Sequence, residues 1–467
     1  MAQASGGMGV VPHSHDRDAG LDLAVAKMRA ADVPQAAIDV FSHYYRQLEA
    51  GATGVIREDS IEPLGPEAAD GGAPVDEAAA RAAFAKTAII KLNGGLGTSM
   101  GLDRAKTLLE ARDGRTFLDV IVAQVRHARA AYGVRLPLLF MNSFRTRDDT
   151  LAYLDRYPDL AVAGLPLDFL QSAEPKLRAD DLTPVSWPAD PSLEWCPPGH
   201  GDLYPSLWGS GVLRALLDAG FRYASVANGD NLGAAPDAAL AGWFAATGAP
   251  YAAEVCLRTP NDRKGGHLGV RKSDGRLILR DTAQTAPEEM DFFTDEHRHP
   301  YFHANNLWLD LEQVGAVLDE RRGVLGLPLI RNEKTVDPSD PSSPAVIQLE
   351  CAMGAAIEVF EGARAVAVGR DRFLPVKTTN ELMLMRSDAY DFGADGRLRA
   401  QVSRLPRVSL DSRFYKLVGD FDARVRVVPS LREASSLVVD GDWLFDQPGR
   451  VVGDVHLEDR GVPSVFR

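Results

Sequence analysis

The sequence has few cysteines, an excess of acidic over basic residues and no long apolar run. Its three cysteines, Cys196, Cys256 and Cys351, are widely spaced and form no CxxC pair, which excludes a disulfide framework and indicates reduced thiols. No apolar run approaches the length of a membrane span, and the N-terminal stretch MAQASGGMGVVPHSHDRD lacks the features of a signal peptide. We therefore expect a cytoplasmic protein with no membrane partner.

The charge balance restricts the class of partner. With 65 acidic and 51 basic residues, the formal net charge is -14, which disfavours a nucleic-acid backbone or an anionic membrane surface as the main partner. We expect no nucleic-acid partner, and any phosphate-binding site has to be a local positive pocket. The length of 467 residues predicts two or three domains.

The patterns along the chain predict three regions. Residues 1–84 combine a polar tail, which we expect to be disordered over about 18 residues, with two helical segments between Leu21 and Glu49; the run PLGPEAADGGAPVD that follows is typical of a surface linker. Residues 85–382 form the main domain. Residues 383–467 contain two similar pieces, VVDGDWLF and VVGDVHL. These pieces indicate either successive rungs of a short β-solenoid, docked on the rest of the chain or on another subunit, or a chance likeness of two strands.

The main domain alternates short apolar runs with longer helical segments. The runs Ala88–Ile90, Leu138–Asn142 and Tyr223–Asn228 are strand-like, and the segment FLDVIVAQVRHARAAYG between two of them has helical periodicity. Such alternation favours a mostly parallel sheet with helices on both faces. Ligands bind beyond the carboxyl ends of the strands in folds of this kind, so the loops after these three runs should meet at one site.

One of these loops, in the stretch KTAIIKLNGGLGTSMG from Lys86 to Gly101, is rich in glycine. Glycine lets backbone N–H groups approach a bulky anion, which indicates a phosphorylated ligand. The stretch is no P-loop, because Leu102 follows its last glycine, and no dinucleotide fingerprint, because Met100 stands where the third glycine or alanine belongs. A turn that needs glycine for steric reasons alone remains an alternative.

Four other stretches combine polar and constrained residues, and each has an ordinary structural interpretation too. WCPPGHGDLY presents His200 between glycines, either to a ligand or as the cap of a tight turn. NGDNLG places Asp230 where it would hold a divalent ion or form a common turn. HANNLW offers Asn305 and Asn306 to sugar hydroxyls or to an Asx turn, before a strand-like run. FLPVKTTNEL sets Lys377 after an apolar strand, although most lysines are solvated surface residues.

Taken together, the motifs occur in one order along the chain: KLNGGLGTSMG with Lys106, MNSF at Met141–Phe144, PPGHGD, NLGA after Asp230, NNLW, QLE at Gln348–Glu350 and FLPVKTT. This series resembles that of the eukaryotic-type UTP:glucose-1-phosphate uridylyltransferases. The resemblance runs from KMRAA near Lys27 through GVIREDSIEPL to about Leu382, and the recurrence of many motifs in one order makes it specific.

The resemblance implies an α/β fold: a Rossmann-like (GT-A-like) nucleotidyltransferase domain at residues 85–382, with a mixed sheet and helices on both faces. It also implies a reaction in which UTP and glucose 1-phosphate give UDP-glucose and pyrophosphate with the help of Mg²⁺. Because a phosphate oxygen of glucose 1-phosphate attacks the α-phosphorus in line, positioning and charge neutralisation do most of the catalysis. No nucleophilic side chain is needed.

The resemblance further implies roles for individual residues. Lys106 and Lys377 would be catalytic and contact the phosphates, Asp230 would hold the metal, and Gln171 would read the uracil edge. The nucleotide would be bound by Leu92, Asn93, Gly94, Gly95, Gln171, Gly199, His200 and Asp230. The sugar phosphate would be bound by His200, Asn228, Asn305, Asn306 and Glu350.

The sequence departs from the family pattern in three places. Arg104 and Ala105 stand where the family usually has Gly-Pro before the lysine, and Gly229 replaces an apolar residue between Asn228 and Asp230. The C-terminal region is shorter than the family's β-helix, so we expect a monomer or dimer rather than an octamer.

Three other functions remain open at this point. A pyrophosphorylase of the same group would act on an N-acetylhexosamine phosphate, and a GT-A glycosyltransferase would consume a UDP-sugar instead of making one. A nucleotide-sensing scaffold would keep the fold without the reaction, although the presence of Lys106, Asp230 and Lys377 argues against that function.

Overall fold

The computed structural model describes residues 17–67, 69–70, 75–259, 262–263 and 265–467. Residues 1–16 of the predicted disordered tail lie outside the described residues. The helices are α1 Arg17–Ala30, α2 Gln35–Glu49, α3 Glu77–Phe84, α4 Phe117–Tyr132, α5 Arg147–Leu154, α6 Leu203–Gly209, α7 Val212–Asp218, α8 Ala238–Thr247, α9 Met290–Thr294, α10 Leu311–Glu320, α11 Thr379–Arg386, α12 Ser412–Tyr415 and α13 Val418–Arg424.

The strands range from two to ten residues in length, and the two ten-residue strands are β15 in the central sheet and β22 in the C-terminal region. They are β1 Ile61–Pro63, β2 Ala69–Asp70, β3 Thr87–Asn93, β4 Glu110–Arg112, β5 Arg115–Thr116, β6 Leu138–Asn142, β7 Asp168–Leu170, β8 Glu174–Pro175, β9 Leu177–Arg178, β10 Trp195–Cys196, β11 Tyr223–Asn228, β12 Tyr251–Leu257, β13 Gly266–Arg271, β14 Leu277–Asp281, β15 Tyr301–Asp310, β16 Leu329–Thr335, β17 Ala345–Cys351, β18 Arg364–Ala367, β19 Tyr390–Phe392, β20 Leu398–Ala400, β21 Arg407–Leu410, β22 Ser430–Val439, β23 Trp443–Leu444, β24 Arg450–Leu457 and β25 Ser464–Val465.

The central sheet is mixed and runs in the order β2-β18-β12-β15-β11-β3-β6-β7. Strands β11, β3, β6 and β7 are parallel, and β15 is antiparallel to both β11 and β12. The three strands predicted from the sequence are therefore direct neighbours, with Ile90 opposite Val226 on one side and Leu139 on the other. Their carboxyl ends meet at one edge of the sheet, as the alternating pattern predicts.

Both faces of the sheet are covered. Successive side chains of a strand point to opposite faces, so neighbouring residues of β3 pack in different apolar clusters. On β3, Ala88 and Ile90 join a buried cluster with helices α1, α2, α6, α7 and α10. Ile89 joins a second cluster, on the other face, with α3, α4, α8 and α11. The predicted helix after β5 is α4, which begins in a capping box at Thr116 and ends at Gly133 in a left-handed conformation. The predicted α/β class, with helices on both faces of a mixed sheet, is confirmed.

The N-terminal region is attached to the sheet. Helices α1 and α2 cover the predicted helical segments. Strand β1, which ends at the first residue of the predicted linker Pro63–Asp76, pairs with β13, and β2, inside that stretch, pairs with β18. Residue 68 and residues 71–74 of that stretch lie outside the described residues. Among the described residues we find no helix with the length and apolar content needed to cross a membrane.

The C-terminal region carries parallel strands. β21, β22 and β24 pair in parallel, so that Ser409 lies beside Val438 and Val438 beside His456, and β23 pairs in parallel with β25. Parallel pairing of this kind is what successive solenoid rungs require, and the solenoid itself stays a prediction. The apolar residues Leu431 and Leu437 belong to the same cluster as α4 and α11, so these strands dock on the rest of the chain.

Candidate active site

The glycine loop leaves β3 at the edge where the parallel strands end. Gly97 and Gly101 have φ values of 68° and 75°, a left-handed conformation that favours glycine, and they flank a single 3₁₀ turn. Gly95 is exposed, and a Cβ placed on it would meet nothing within 4 Å. The loop therefore presents bare main chain to an open space, as a cradle for a large anion requires.

Two charged side chains lie beside this cradle. Lys106 comes from the chain that follows the glycine loop, and Asp230 comes from the loop after the neighbouring strand β11. The Lys106 backbone N–H donates to the Gly95 carbonyl at 3.2 Å, which ties the 3₁₀ turn Lys106–Leu108 to the glycine loop. The Lys106 ammonium lies 2.7 Å from a carboxylate oxygen of Asp230, which follows β11. The carbonyl of Asp230 in turn accepts a hydrogen bond of 3.4 Å from the Val376 N–H, directly before Lys377. Gly95, Lys106, Asp230 and Lys377 therefore converge.

Lys377 is exposed at this edge, and it faces a second carboxyl group. Burial raises the pKa of Asp281, and the positive charge of Lys377 partly opposes that shift while Glu350 adds to it. Lys377 thus lies between the Asp230 loop and the Asp281 and Glu350 carboxyl groups. An ammonium group in this position can bind a phosphate.

The donor set around Asp230 can be compared with the needs of a divalent cation. Among the described residues no group of three or more histidine, cysteine, aspartate or glutamate side chains is arranged as a complete metal site. One partly exposed carboxylate beside an open anion cradle is nevertheless what Mg²⁺ uses when substrate phosphates and water supply the remaining ligands. The Lys106 ammonium occupies the place of a cation on that carboxylate. The residues present fit a magnesium ion that enters with a nucleotide.

A second group of predicted residues lies beyond β7. The Gln171 amide nitrogen donates to the Gly199 carbonyl at 2.7 Å, and its other amide atom faces Gly94, where an added Cβ would lie 2.5 Å from it. Gly199 has φ of 78°, and a Cβ there would lie 2.6 Å from the Cys351 carbonyl oxygen. Gly199 is therefore required by contacts with backbone atoms, whereas at Gly94 the close atom belongs to a side chain. The steric interpretation of Gly199 is confirmed, and a ligand contact at these glycines stays a prediction.

His200 is a partly buried imidazole in the same turn. Its Nδ1 accepts a hydrogen bond of 2.9 Å from the Met353 backbone N–H, so the proton of the neutral ring lies on Nε2. Burial lowers the pKa of His200 to about 4, and the pKa of the neighbouring His303 to about 3. At neutral pH, His200 is thus an uncharged donor through Nε2.

The predicted sugar-binding residues separate into two groups. Asn228 at the end of β11, Asn305 in β15 and Glu350 in β17 are partly exposed. Asn305 has φ of 57° and lies in an irregular part of β15, where the register against β12 shifts between Ala253 and Val255. The two amides of HANNLW are therefore inside a strand, not before it. A bulge re-aims a side chain, and here it leaves Asn305 accessible.

Asn306 and Asn93 point into the interior. Asn306 is 1% exposed; its amide nitrogen donates to Glu254 and to the Arg372 carbonyl, and its oxygen accepts from Asn231. Because every polar atom is used, its side chain supports the site and does not present a free group to a sugar. The Asn93 side chain is likewise bonded to Asn142, Thr150 and Thr107. At Asn93, as at the core residue Leu92, only the main chain lies in position to contribute to the cradle.

A buried ionic network behind the cradle was not predicted. The Arg372 guanidinium makes two hydrogen bonds of 2.7 Å to Glu254, and the Lys91 ammonium donates to the Ala234 carbonyl at 2.7 Å. Burial and the Arg372 charge lower the pKa of Lys91 to about 7, while Glu254 opposes the shift. Single charged residues inside the apolar strands TAIIKLN and YAAEVCL are the sequence signal that could have indicated this network.

Comparison with known proteins identifies the family. The sequence model of the UTP--glucose-1-phosphate uridylyltransferase family matches residues 38–451. The UTP--glucose-1-phosphate uridylyltransferase of Hordeum vulgare is 39% identical over 389 residues, which cover 82% of this chain and 80% of that protein. The enzyme of the same name from Saccharomyces cerevisiae is 40% identical, over 80% of this chain and 74% of that protein.

Solved structures agree with the sequence comparison. The UDP-glucose pyrophosphorylase of Leishmania major superposes with a TM-score of 0.90 at 40% identity, covering 96% of this chain and 97% of that chain. A variant of that enzyme in complex with UDP-glucose has a TM-score of 0.89 at 39% identity, with the same coverage. This chain belongs to the UTP--glucose-1-phosphate uridylyltransferase family.

Proposed function

We propose that this protein transfers the uridylyl group of UTP to glucose 1-phosphate and releases UDP-glucose and pyrophosphate. The observation that carries the proposal is the convergence of Gly95, Lys106, Asp230 and Lys377 at the carboxyl edge of the parallel strands. An open main-chain cradle, two ammonium groups and one carboxylate are the groups that a nucleoside triphosphate with a bound metal requires.

The proposed reaction is a single in-line displacement. A phosphate oxygen of glucose 1-phosphate forms a bond to the α-phosphorus of UTP, and the bond between that phosphorus and the bridging oxygen breaks as pyrophosphate leaves. No covalent enzyme intermediate forms. Lys106 and Lys377 would bind the phosphates of the two anionic substrates, which would offset their mutual repulsion in a protein of net negative charge.

The proposed metal is Mg²⁺, with Asp230 as its protein ligand. When bound, the ion would neutralise negative charge on the triphosphate. Lys106 holds the Asp230 carboxylate in place by a contact of 2.7 Å, and that contact supports a role for Lys106 in orienting the carboxylate as well as in binding phosphate.

The remaining residues would recognise the two substrates. Gln171, with its amide on the Gly199 carbonyl, would read the uracil edge, and the Nε2–H of His200 would donate to the ligand. Asn228, Asn305 and Glu350, which are partly exposed, would bind the glucose phosphate. The three cysteines are buried and unpaired, which supports the cytoplasm as the place of this reaction.

Release of pyrophosphate from UTP and glucose 1-phosphate, measured with Mg²⁺ present, tests the proposal. We expect Lys377→Ala to lower kcat by about 100-fold or more, on the scale of one lost donor to a transition-state anion. Lys86→Ala is the matched control, because Lys86 is an exposed lysine before the first residue of β3, at the opposite end of the strand from the cradle.

Replacing glucose 1-phosphate by N-acetylglucosamine 1-phosphate separates the two pyrophosphorylase activities. We expect the glucose phosphate to be used better. An inactive wild-type protein, or a Lys377→Ala variant as active as Lys86→Ala, contradicts the proposal.

A further inference from the structure

The turn that carries His200 also carries a buried carboxylate with no assigned role. Asp202 is 2% exposed, and its Oδ2 accepts two hydrogen bonds, at 2.7 Å from the Ser172 backbone N–H and at 2.6 Å from the Ser206 hydroxyl. Its Oδ1 is buried without a hydrogen-bond partner among the described residues. Burying this carboxylate removes its hydration, and only one of its oxygens accepts hydrogen bonds in return. Such a costly arrangement indicates a structural or functional role.

These bonds join the two segments that meet at the proposed uracil site. Ser172 directly follows Gln171, whose backbone N–H donates to the Asn142 carbonyl at the end of β6. Gly199, the acceptor of the Gln171 amide, lies three residues before Asp202, and the Asp202 N–H donates back to its carbonyl at 3.4 Å. The Asp202 side chain therefore holds the main chain beside Gln171 at a set distance from the turn that Gln171 contacts.

A second buried carboxyl group lies close to Asp202. Glu174, in β8, is 3% exposed, and its Oε1 also lacks a hydrogen-bond partner among the described residues. Burial raises the pKa of Asp202 to about 6, and burial together with the Asp202 charge holds the pKa of Glu174 well above its ordinary value. The titratable groups near the pair are the Cys351 thiol and Glu350 on β17, the Cys196 thiol on β10 and Tyr44 on α2. Among the described residues, no cation acts on the pKa of either carboxyl group. Both carboxyl groups therefore favour the protonated form more than they would in water.

We propose that Asp202 is a positioning residue for base recognition, which fixes Gln171 against Gly199. The inference rests on the proposed uridylyl transfer and adds a determinant of its base specificity. A site built to hydrogen-bond one edge of a base discriminates only if its groups are held in place before the base arrives. Loss of the Asp202 carboxylate leaves the Ser172 N–H unpaired and releases that constraint.

The test compares Asp202→Ala with Asp202→Asn in the pyrophosphate-release assay. We expect Asp202→Ala to raise the KM for UTP by about 10-fold or more and to lower the UTP-to-CTP ratio of kcat/KM by a similar factor, on the scale of one lost recognition contact. The KM for glucose 1-phosphate should stay within about 2-fold, because Asp202 acts on the base side. In Asp202→Asn the amide oxygen can accept both bonds, so we expect both UTP parameters to return to near the wild-type values.

Asp388→Ala is the matched control for loss of a structural carboxylate. Asp388 also accepts one serine hydroxyl, that of Ser430 at 2.7 Å, and one backbone N–H, that of Leu431 at 2.9 Å, but it does so at the start of β22 in the C-terminal region. We expect the Asp388→Ala substitution to reduce stability without changing the KM for UTP. If Asp202→Ala does not fold, Ser206→Ala removes one of the two bonds, and we expect a rise of about 3-fold in the KM for UTP.

The outcomes separate this inference from the proposed function. A wild-type protein that releases no pyrophosphate overturns the proposed function. An active wild type whose Asp202→Ala variant keeps its KM for UTP and its base ratio, or raises the KM values of both substrates equally, overturns the role of Asp202 alone. If only Ser206→Ala can be measured, an unchanged KM for UTP has the same meaning.

Discussion

Glu254 has no solvent exposure, and the structure around it explains how Asp230 and Lys377 come to lie together. Its carboxylate binds the Arg372 guanidinium and the Asn306 amide, and Asn231, next to Asp230, donates to Asn306 and to the Arg372 carbonyl. Asn231 also accepts a hydrogen bond from the Leu374 N–H. The segment that leads to Lys377 is thus bonded to the loop that carries the metal-binding candidate.

We expect Glu254→Ala to lower the free energy of unfolding by about 3 to 5 kcal/mol, because it removes the buried carboxylate that accepts two hydrogen bonds from Arg372 and leaves that guanidinium a longer contact of 3.7 Å to Asp237. Urea unfolding followed by circular dichroism measures the loss. Asp159→Ala, which removes the acceptor of the largely exposed Arg126 side chain, is the control and should cost less than about 1 kcal/mol. Equal losses in the two variants would show that the interior network contributes nothing beyond a surface ion pair.

At the scale of single elements, the 3₁₀ turn Lys106–Leu108 determines where the Lys106 ammonium lies. Ala105, fully buried, precedes this turn with φ of -53° and ψ of 129°, values that proline adopts readily. Within the described residues we find no acceptor for the Ala105 N–H. The family's proline would therefore fit this backbone. Alanine at this position gives the unfolded chain more conformational entropy, which is lost on folding.

We expect Ala105→Pro to stabilise the protein by about 0.5 kcal/mol without lowering kcat, because it restricts the unfolded chain and keeps the native dihedral angle. Ala85→Pro is the matched control: φ of -62° also suits proline, but the Ala85 N–H donates to the Arg81 carbonyl at 2.9 Å at the end of α3. That variant should be destabilised. Thermal unfolding of both variants is the measurement, and destabilisation by Ala105→Pro would contradict the account of this turn.

At the scale of the whole molecule, the two ends of the chain cover opposite faces of the sheet. Helices α1 and α2 share one buried cluster with it, and strands β21, β22 and β24 share the other with α4 and α11. The apolar side of the C-terminal strands is thus used within the chain. Few large apolar side chains remain exposed there, among them Val452, Val462 and Val465.

We therefore expect a monomer or a dimer in solution. Size-exclusion chromatography with light scattering should give a mass near the 50.5 kDa of one chain, or about twice that value. Asp388→Ala, which removes the contact between residue 388 and β22, tests whether docking of the C-terminal strands matters for that state. A mass near eight chains in the wild type would refute the expectation.

The α/β class, the existence of strands β3, β6 and β11 and the family could be predicted from the sequence, because these depend on local periodicity and on motifs that keep their order. That the three strands are direct neighbours came from the structure. The sequence also indicated the cradle, since glycines that admit an anion are visible as glycines. Which of the adjacent amides Asn305 and Asn306 is accessible was decided only by the tertiary structure, through a bulge in β15. The same holds for Glu254 and for Asp202, because partners distant in sequence become partners only when burial removes the water that would otherwise solvate each charge.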